Sequence, residues 1–194
     1  EIAGLLARTI GQLCEGQIEE LRHTYDTSRT VPSYLLSIEG KTASLFATAA
    51  RVGAIVAGHN RREIDALTNY GTSFGMVFQI VDDILDIIST DVQLGKPAGH
   101  DMEEGVYTLP VLLTLAAGGS PASELNELLG QPLDAESRDK ALNIVRSNSG
   151  VQSAIDSARS YVAMAQTACN QLPPGGATGA LLAAPAVLLE SVIN

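Results

Sequence analysis

Three aspartates in an otherwise uncharged helical stretch are the residues of this sequence best suited to chemistry. Within residues 71–89 the only charged side chains are Asp82, Asp83 and Asp86. At about 100° per residue they share one helix stripe with Gln79, and most of the remaining surface is apolar. Crowded carboxylates repel one another, and their oxygens suit Mg²⁺, which also binds substrate phosphates. The alternative is a solvated acidic face near a helix end, which the apolar surroundings disfavour.

Two lysines could supply the positive charge that a phosphate group needs. Lys41 precedes Thr42 in a Gly-Lys-Thr triplet, but a nucleotide-binding P-loop requires a glycine where Leu35 stands, and a preceding strand. Lys96 lies in a segment rich in glycine and proline just after the acidic helix. Each lysine could instead be a solvated surface residue, and His100 is interpreted as a surface histidine.

The composition limits the classes of function. The 194 residues carry a formal net charge of −10, and 45% of them are hydrophobic, so a packed acidic domain is expected. This charge argues against a nucleic-acid partner, because phosphate backbones need a cationic face. No secretory signal or membrane-length apolar run is present, and Cys14 and Cys169 show no paired spacing. A cytoplasmic protein is therefore expected.

Helical periodicity dominates the chain, and no alternating strand pattern is found. One all-α domain covering residues 1–194 is therefore predicted, with an irregular segment at 90–106. The predicted helices span residues 1–22, 33–57, 61–89, 107–117, 133–147, 151–171 and 179–192. In the first of these, the residues expected to face inward are Ile2, Leu5, Leu6, Ile10, Leu13 and Ile18.

Four motifs, in order, resemble those of the trans-isoprenyl diphosphate synthases. They are Tyr34…Ile38…Lys41-Thr42, Phe78-Gln79…Asp82-Asp83-Ile84-Leu85-Asp86, Gly95-Lys96-Pro97…Gly99…Asp101 and Glu104-Gly105…Thr108-Leu109-Pro110. The resemblance implies an isoprenoid synthase-type helical bundle around a central cavity, with its N-terminal helices missing from this chain. It also implies a Mg²⁺-dependent prenyltransferase that joins an allylic diphosphate to isopentenyl diphosphate. A homodimer is expected from the same resemblance.

The resemblance also assigns roles to individual residues. Lys41, Asp82 and Lys96 would be catalytic. The substrate diphosphate would be bound by Lys41, Thr42, Gln79 and Lys96. The metal would be bound by Asp82, Asp83, Asp86 and Asp101, with Asp82 as the main direct ligand and Asp101 acting through metal-bound water.

Two departures from the family pattern leave alternatives open. The 194 residues contain no first aspartate-rich motif, so this chain alone is expected not to catalyse condensation. Val106 stands where many relatives have lysine. One alternative is a non-catalytic partner subunit of a heteromeric prenyl diphosphate synthase. Another is a class I terpene cyclase, although the second metal motif typical of that class is not found.

Overall fold

The computed structural model describes residues 1–89 and 98–193, and within these ranges every regular element is helical. The expected all-α class is therefore confirmed. The α-helices are α1 (Ile2–Arg22), α2 (Val31–Ile38), α3 (Ser44–Val56), α4 (Arg61–Ile88), α5 (His100–Glu103), α6 (Leu109–Ala117), α7 (Gly119–Leu128), α8 (Ala135–Arg146), α9 (Gly150–Cys169) and α10 (Gly176–Glu190). A five-residue π-helical turn, Glu39–Ala43, joins α2 to α3. None of the described helices is long and apolar enough to cross a membrane.

Two of these helices were not expected from the sequence. Helix α7 begins at Gly119, in a stretch that the sequence predicts as a break between helices. Its Pro121 falls in the first helical turn, where the missing N–H costs no intrahelical hydrogen bond. The short helix α5 lies in the segment predicted to be irregular and follows Gly99, which has a positive φ of 73°.

The chain forms two compact units, and several helices contribute to both. The first unit comprises Glu1–Ile18, Leu36–Gln79 and Ser157–Asn194; the second comprises Glu19–Leu35 and Ile80–Asp156. The single domain inferred from the sequence stays a prediction.

In the first unit, helices α3 and α4 approach closely because small residues face each other. A Cβ added to Gly71 would lie 2.6 Å from the Phe46 carbonyl oxygen, and one added to Gly75 would lie 2.6 Å from the Cα of Ala43. Gly71 and Gly75 of α4 thus lie against the backbones of α3 and of the π-helical turn that precedes it.

The second unit holds the C-terminal end of α4 through hydrogen bonds from a neighbouring helix. Arg146 of α8 donates from Nε to the Ile87 carbonyl at 2.6 Å and from Nη2 to the Ser89 carbonyl at 3.2 Å. These carbonyls lack partners within α4, and a cation also suits the negative end of the helix dipole. The end of the aspartate-bearing helix is therefore fixed.

The inward face predicted for α1 is partly wrong. Leu6, Ile10 and Ile18 are 49%, 62% and 50% exposed. The buried residues of α1 are Thr9, Gly16 and Glu20. Apolar residues lie around most of this helix, so periodicity alone could not identify the face that packs against the unit.

Candidate functional site

Lys41 and Thr42 lie in the π-helical turn Glu39–Ala43, and both are half-buried. A π-helical turn forms i→i+5 hydrogen bonds, holds an extra residue compared with an α-helical turn, and is frequent at functional sites. Because hydrophobic periodicity does not detect such a turn, the sequence predicts an uninterrupted helix here.

Two glycines allow α1 to reach the backbone of this turn. A Cβ built on Gly16 would lie 2.7 Å from the Ser37 carbonyl oxygen and would also collide with the backbone nitrogen of Lys41. A Cβ built on Gly40 would lie 2.9 Å from the Gln12 carbonyl oxygen. The Ser37 hydroxyl donates to the Gly16 carbonyl at 2.9 Å. The turn that carries Lys41 is thus fixed by contact between two backbones.

The structure brings together Thr42 and Gln79, which are both predicted to bind the substrate diphosphate. The Thr42 hydroxyl donates to Gln79 Oε1 at 2.7 Å, and Gln79 is half-buried. The two residues are 37 positions apart in the chain, so this contact joins two separate sequence motifs within the first unit. Gln79 also precedes Asp82 by three positions on α4, which places the two residues on the same face of that helix.

The three aspartates of α4 have different environments, although they occupy one helix stripe. Asp82 is exposed, whereas Asp83 and Asp86 are 3% and 4% exposed. The Tyr34 hydroxyl, itself buried, donates to Asp83 Oδ2 at 2.5 Å. Burial, and then the charge of Asp83, raise the pKa of Tyr34 well above its ordinary value, so its hydroxyl remains a proton donor.

Arg29 is a buried cation in the second unit that the sequence analysis missed. It is 5% exposed, and its guanidinium carbon lies 5.7 Å from the centre of the Tyr34 ring. Burial lowers the pKa of Arg29, and the charge of Glu20 is the largest opposing influence. The sequence around Arg29 is polar and is typical of a solvated loop. The only signal for a role of Arg29 is its closeness in sequence to Tyr34, which belongs to the first of the four motifs.

Asp86 connects α4 to the start of α5. Its backbone carbonyl accepts the Gly99 N–H at 2.9 Å, and its Oδ2 lies 3.4 Å from the backbone nitrogen of Asp101, a long hydrogen bond. The structure therefore places Asp101, which is half-buried, beside Asp86. Lys96, the other predicted diphosphate ligand, lies outside the described residues.

The predicted metal ligands fit Mg²⁺ in chemical type but not as a complete set. Within 1–89 and 98–193, no three or more His, Cys, Asp or Glu side chains are grouped so as to hold a metal ion. Mg²⁺ prefers oxygen ligands and commonly binds one or two carboxylates together with water and substrate phosphates. An exposed Asp82 beside a fixed Asp83 is compatible with such a partial set, and the metal assignment stays a prediction.

Comparison with known proteins identifies the family. The family model described as polyprenyl synthetase matches residues 1–145. The chain is 37% identical over 175 residues to nonaprenyl diphosphate synthase of Mycobacterium tuberculosis, covering 89% of this chain and 52% of that protein. It is 33% identical over 180 residues to heptaprenyl diphosphate synthase component 2 of Bacillus subtilis, covering 92% and 51%. The chain thus spans about half the length of these curated relatives.

Solved structures show the same similarity in three dimensions. Geranylgeranyl pyrophosphate synthase of Corynebacterium glutamicum, complexed with calcium and isoprenyl diphosphate, matches with a TM-score of 0.89 and 36% identity, covering 98% of this chain and 60% of that one. Polyprenyl synthase of Caulobacter crescentus CB15, complexed with the same two ligands, matches with a TM-score of 0.91 and 31% identity, covering 97% and 58%.

Proposed function

The chain belongs to the polyprenyl synthetase family, and we propose that the protein containing it is a Mg²⁺-dependent prenyltransferase. It would join an allylic diphosphate to isopentenyl diphosphate and release a longer trans-polyprenyl diphosphate. The observation that carries this proposal is the hydrogen bond from Thr42 to Gln79, which links the lysine-threonine motif to the aspartate-bearing helix. An accidental Gly-Lys-Thr triplet would not be expected to meet the polar stripe of that helix.

The residues of this chain would act on the diphosphate leaving group. Lys41, and Lys96 in the undescribed segment, would pair with its oxygens, and Thr42 and Gln79 would orient it. Positive groups fixed where negative charge develops lower the barrier to breaking the bond. The contact between two backbones fixes the main chain from which the Lys41 side chain would reach the diphosphate.

The carboxylates would hold the metal. Asp82 would be the main ligand because it is the exposed member of the three, and Asp83, Asp86 and Asp101 would support or complete the set. Bound Mg²⁺ would neutralise charge on the diphosphate as it leaves. We also propose a homodimer and a cytoplasmic location, in keeping with the family resemblance and the sequence composition.

A second candidate is a subunit that supports a partner in a heteromeric synthase. It is favoured by the similarity to the Bacillus subtilis protein, which is named component 2 of its synthase. In that case the residues above would need a partner chain to be productive.

The test is a transfer assay on the natural protein that contains these 194 residues. It uses radiolabelled isopentenyl diphosphate, farnesyl diphosphate and Mg²⁺, with a chelator-treated sample as control. Mg²⁺-dependent lengthening of the prenyl chain by the purified protein supports the first candidate. Lengthening only after a second synthase component is added supports the second, and no lengthening in either case would overturn both.

A further inference from the structure

Asp83 lies in the core of the second unit, although the residue before it lies at the surface. Asp83 is 3% exposed, whereas Asp82 is exposed, a difference that is possible because consecutive residues of an α-helix point about 100° apart. The buried hydroxyl of Tyr34 donates to Asp83 Oδ2 at 2.5 Å. Hydrogen bonds to an ionised carboxylate are shorter and stronger than those between neutral groups. This contact joins α2 to α4 within the core.

Arg29 supplies positive charge to the same part of the core. Its side chain is 5% exposed, and its guanidinium carbon lies 5.7 Å from the centre of the Tyr34 ring. Its Nε and Nη2 have no hydrogen-bond partner among the described residues, but the charges of Glu20 and, more weakly, of Asp83 act on it. A buried carboxylate is tolerated when a hydrogen bond or an opposite charge compensates it. Asp83 has both kinds of compensation from residues of its own unit.

A metal ligand needs an oxygen that the ion can reach together with its other ligands. Mg²⁺ usually keeps several water molecules and binds one or two carboxylates along with substrate phosphates. A carboxylate enclosed by the core leaves little room for these waters, whereas an exposed one does not restrict them. In the part of the chain that the structure describes, no group of three or more His, Cys, Asp or Glu side chains could hold a metal ion. These observations argue against Asp83 as a metal ligand.

We propose that Asp83 is a structural carboxylate, which ties α2 to α4 through Tyr34 and the charge of Arg29, and that it does not bind the metal. The proposal narrows the ligand set given above: Asp83 supports the site only as part of the core, and Asp82 remains the main ligand. Its second half rests on the proposed function, because only that function brings a metal to α4. The tie itself does not depend on any activity.

The two adjacent aspartates allow a crossed test on the natural protein that contains these 194 residues. Asp83→Leu and Asp82→Leu make the same change at consecutive positions of one helix, the first in the core and the second at the surface. Thermal melts in chelator measure stability. In a parallel titration with Mn²⁺ alone, electron paramagnetic resonance measures the free ion and so gives the affinity.

The two variants should behave in opposite ways. Asp83→Leu should lower the melting temperature by at least about 5 °C, because it leaves the Tyr34 hydroxyl unpaired and removes a carboxylate that compensates a buried cation. Its Mn²⁺ affinity should stay within about twofold of wild type, because this carboxylate neither binds the ion nor orients a group that does. Asp82→Leu should melt within about 2 °C of wild type but bind Mn²⁺ at least about tenfold more weakly.

Two results would overturn the proposal. One is an unchanged melting temperature for Asp83→Leu, which would show that no tie is broken. The other is a loss of Mn²⁺ affinity in Asp83→Leu as large as that in Asp82→Leu, which would make both carboxylates ligands.

Tyr34→Phe keeps the test decisive if Asp83→Leu does not fold. This variant removes only the hydroxyl and leaves the carboxylate of Asp83 in place. It should lower the melting temperature by at least about 2 °C, as expected when a buried acceptor loses its hydrogen bond, and leave Mn²⁺ affinity unchanged. A tenfold loss of affinity in Tyr34→Phe would overturn the proposal. If the wild-type protein itself binds no Mn²⁺, the proposed function is contradicted, and the melting temperatures still decide whether the tie exists.

Discussion

The turn that carries Lys41 and the turn that carries the aspartates are fixed in different ways. In the first unit, Gly16 and Gly40 allow two backbones to touch, and a π-helical turn presents the lysine. In the second unit, the carboxylate of Asp83 is held by the side chain of Tyr34. The first region therefore depends on the absence of side chains, and the second depends on one particular hydroxyl group.

This difference determines which substitutions each region tolerates. A backbone contact is disrupted by any added Cβ, whatever its chemistry, because neither backbone has a flexible part that can move aside. A hydrogen bond between two side chains can tolerate changes in the size of neighbouring residues, but it is lost when the group that donates the hydrogen is removed. Four variants in and near these two regions, taken from the largest expected effect to the smallest, test how each region is held and what it does.

The largest effect is expected for Asp82→Asn, the exposed carboxylate that no described core residue fixes. In the natural protein, turnover should fall at least about a hundredfold, or roughly 2.7 kcal/mol of transition-state stabilisation. The melting temperature in chelator should not fall, because three crowded carboxylates repel one another without metal. Asp65→Asn, at an ion-paired position of α4 remote from the motif, is the control and should stay within about twofold. Near-normal turnover in Asp82→Asn would contradict the proposal that Asp82 is the main metal ligand.

The next largest effect tests the backbone contact. Gly16→Ala should lower the free energy of unfolding by about 2 kcal/mol, because overpacked sites typically lose 1–3 kcal/mol. Gly11→Ala is a matched control in the same helix, since a Cβ there meets nothing within 4 Å. That variant should be stabilised by about 0.5–1 kcal/mol, the usual advantage of alanine over glycine in a helix. Urea denaturation measures both, and equal responses would contradict the proposed close contact.

A smaller effect is expected for Thr42→Val, which removes the hydroxyl bound to Gln79 and keeps a similar shape. The free energy of unfolding should fall by about 1 kcal/mol, the typical net contribution of one hydrogen bond. Thr72→Val in α4 is the control, because that hydroxyl bonds only within its own helix, to the Thr68 carbonyl. A cost no greater than that of Thr72→Val would show that the contact between the two motifs is weak.

The smallest effect is a change in acid stability. Hydrogen bonds from Ser28 and then from His23 lower the pKa of Asp26, in the loop before α2, below its ordinary value of 3.8. A lowered pKa contributes stability above the ordinary value, and this contribution is lost as the pH falls through the folded-state pKa. Asp26→Asn should therefore melt at a lower temperature than the wild type at pH 5. This difference in melting temperature should become smaller as the pH falls from 5 to 3. Ser28→Ala should reproduce part of this change, and parallel curves would contradict the assignment.

The helical fold could be predicted because amphipathic periodicity depends only on the order of residues. Helix α4 was expected at 61–89 and is found at Arg61–Ile88. The same reasoning misses α7, because Pro121 signals a break even though a first helical turn accepts it. It also misjudges the inward face of α1, where apolar residues lie on several sides.

The site residues could be identified by type and spacing, but the way they are held could not. Thr42 and Gln79 were expected to share a role, and their hydrogen bond is observed. The burial of Arg29 could not be inferred, because its neighbours in the sequence are polar. The aromatic ring against which it packs is that of Tyr34, five residues further along the chain. The roles of Lys41, Asp82, Asp83, Asp86 and Asp101 stay predictions.

The π-helical turn also bears on how insertions and deletions should be placed in alignments of this family. Ile38 and Ala43 are both fully buried although they are five residues apart, a spacing that would put them about 140° apart on an α-helix. The turn supplies the extra residue that lets both face inward. A relative lacking one residue here would keep both flanking faces buried with an ordinary α-helical turn. An alignment should therefore allow a single gap within Glu39–Ala43, although such a gap would be improbable in the middle of α3.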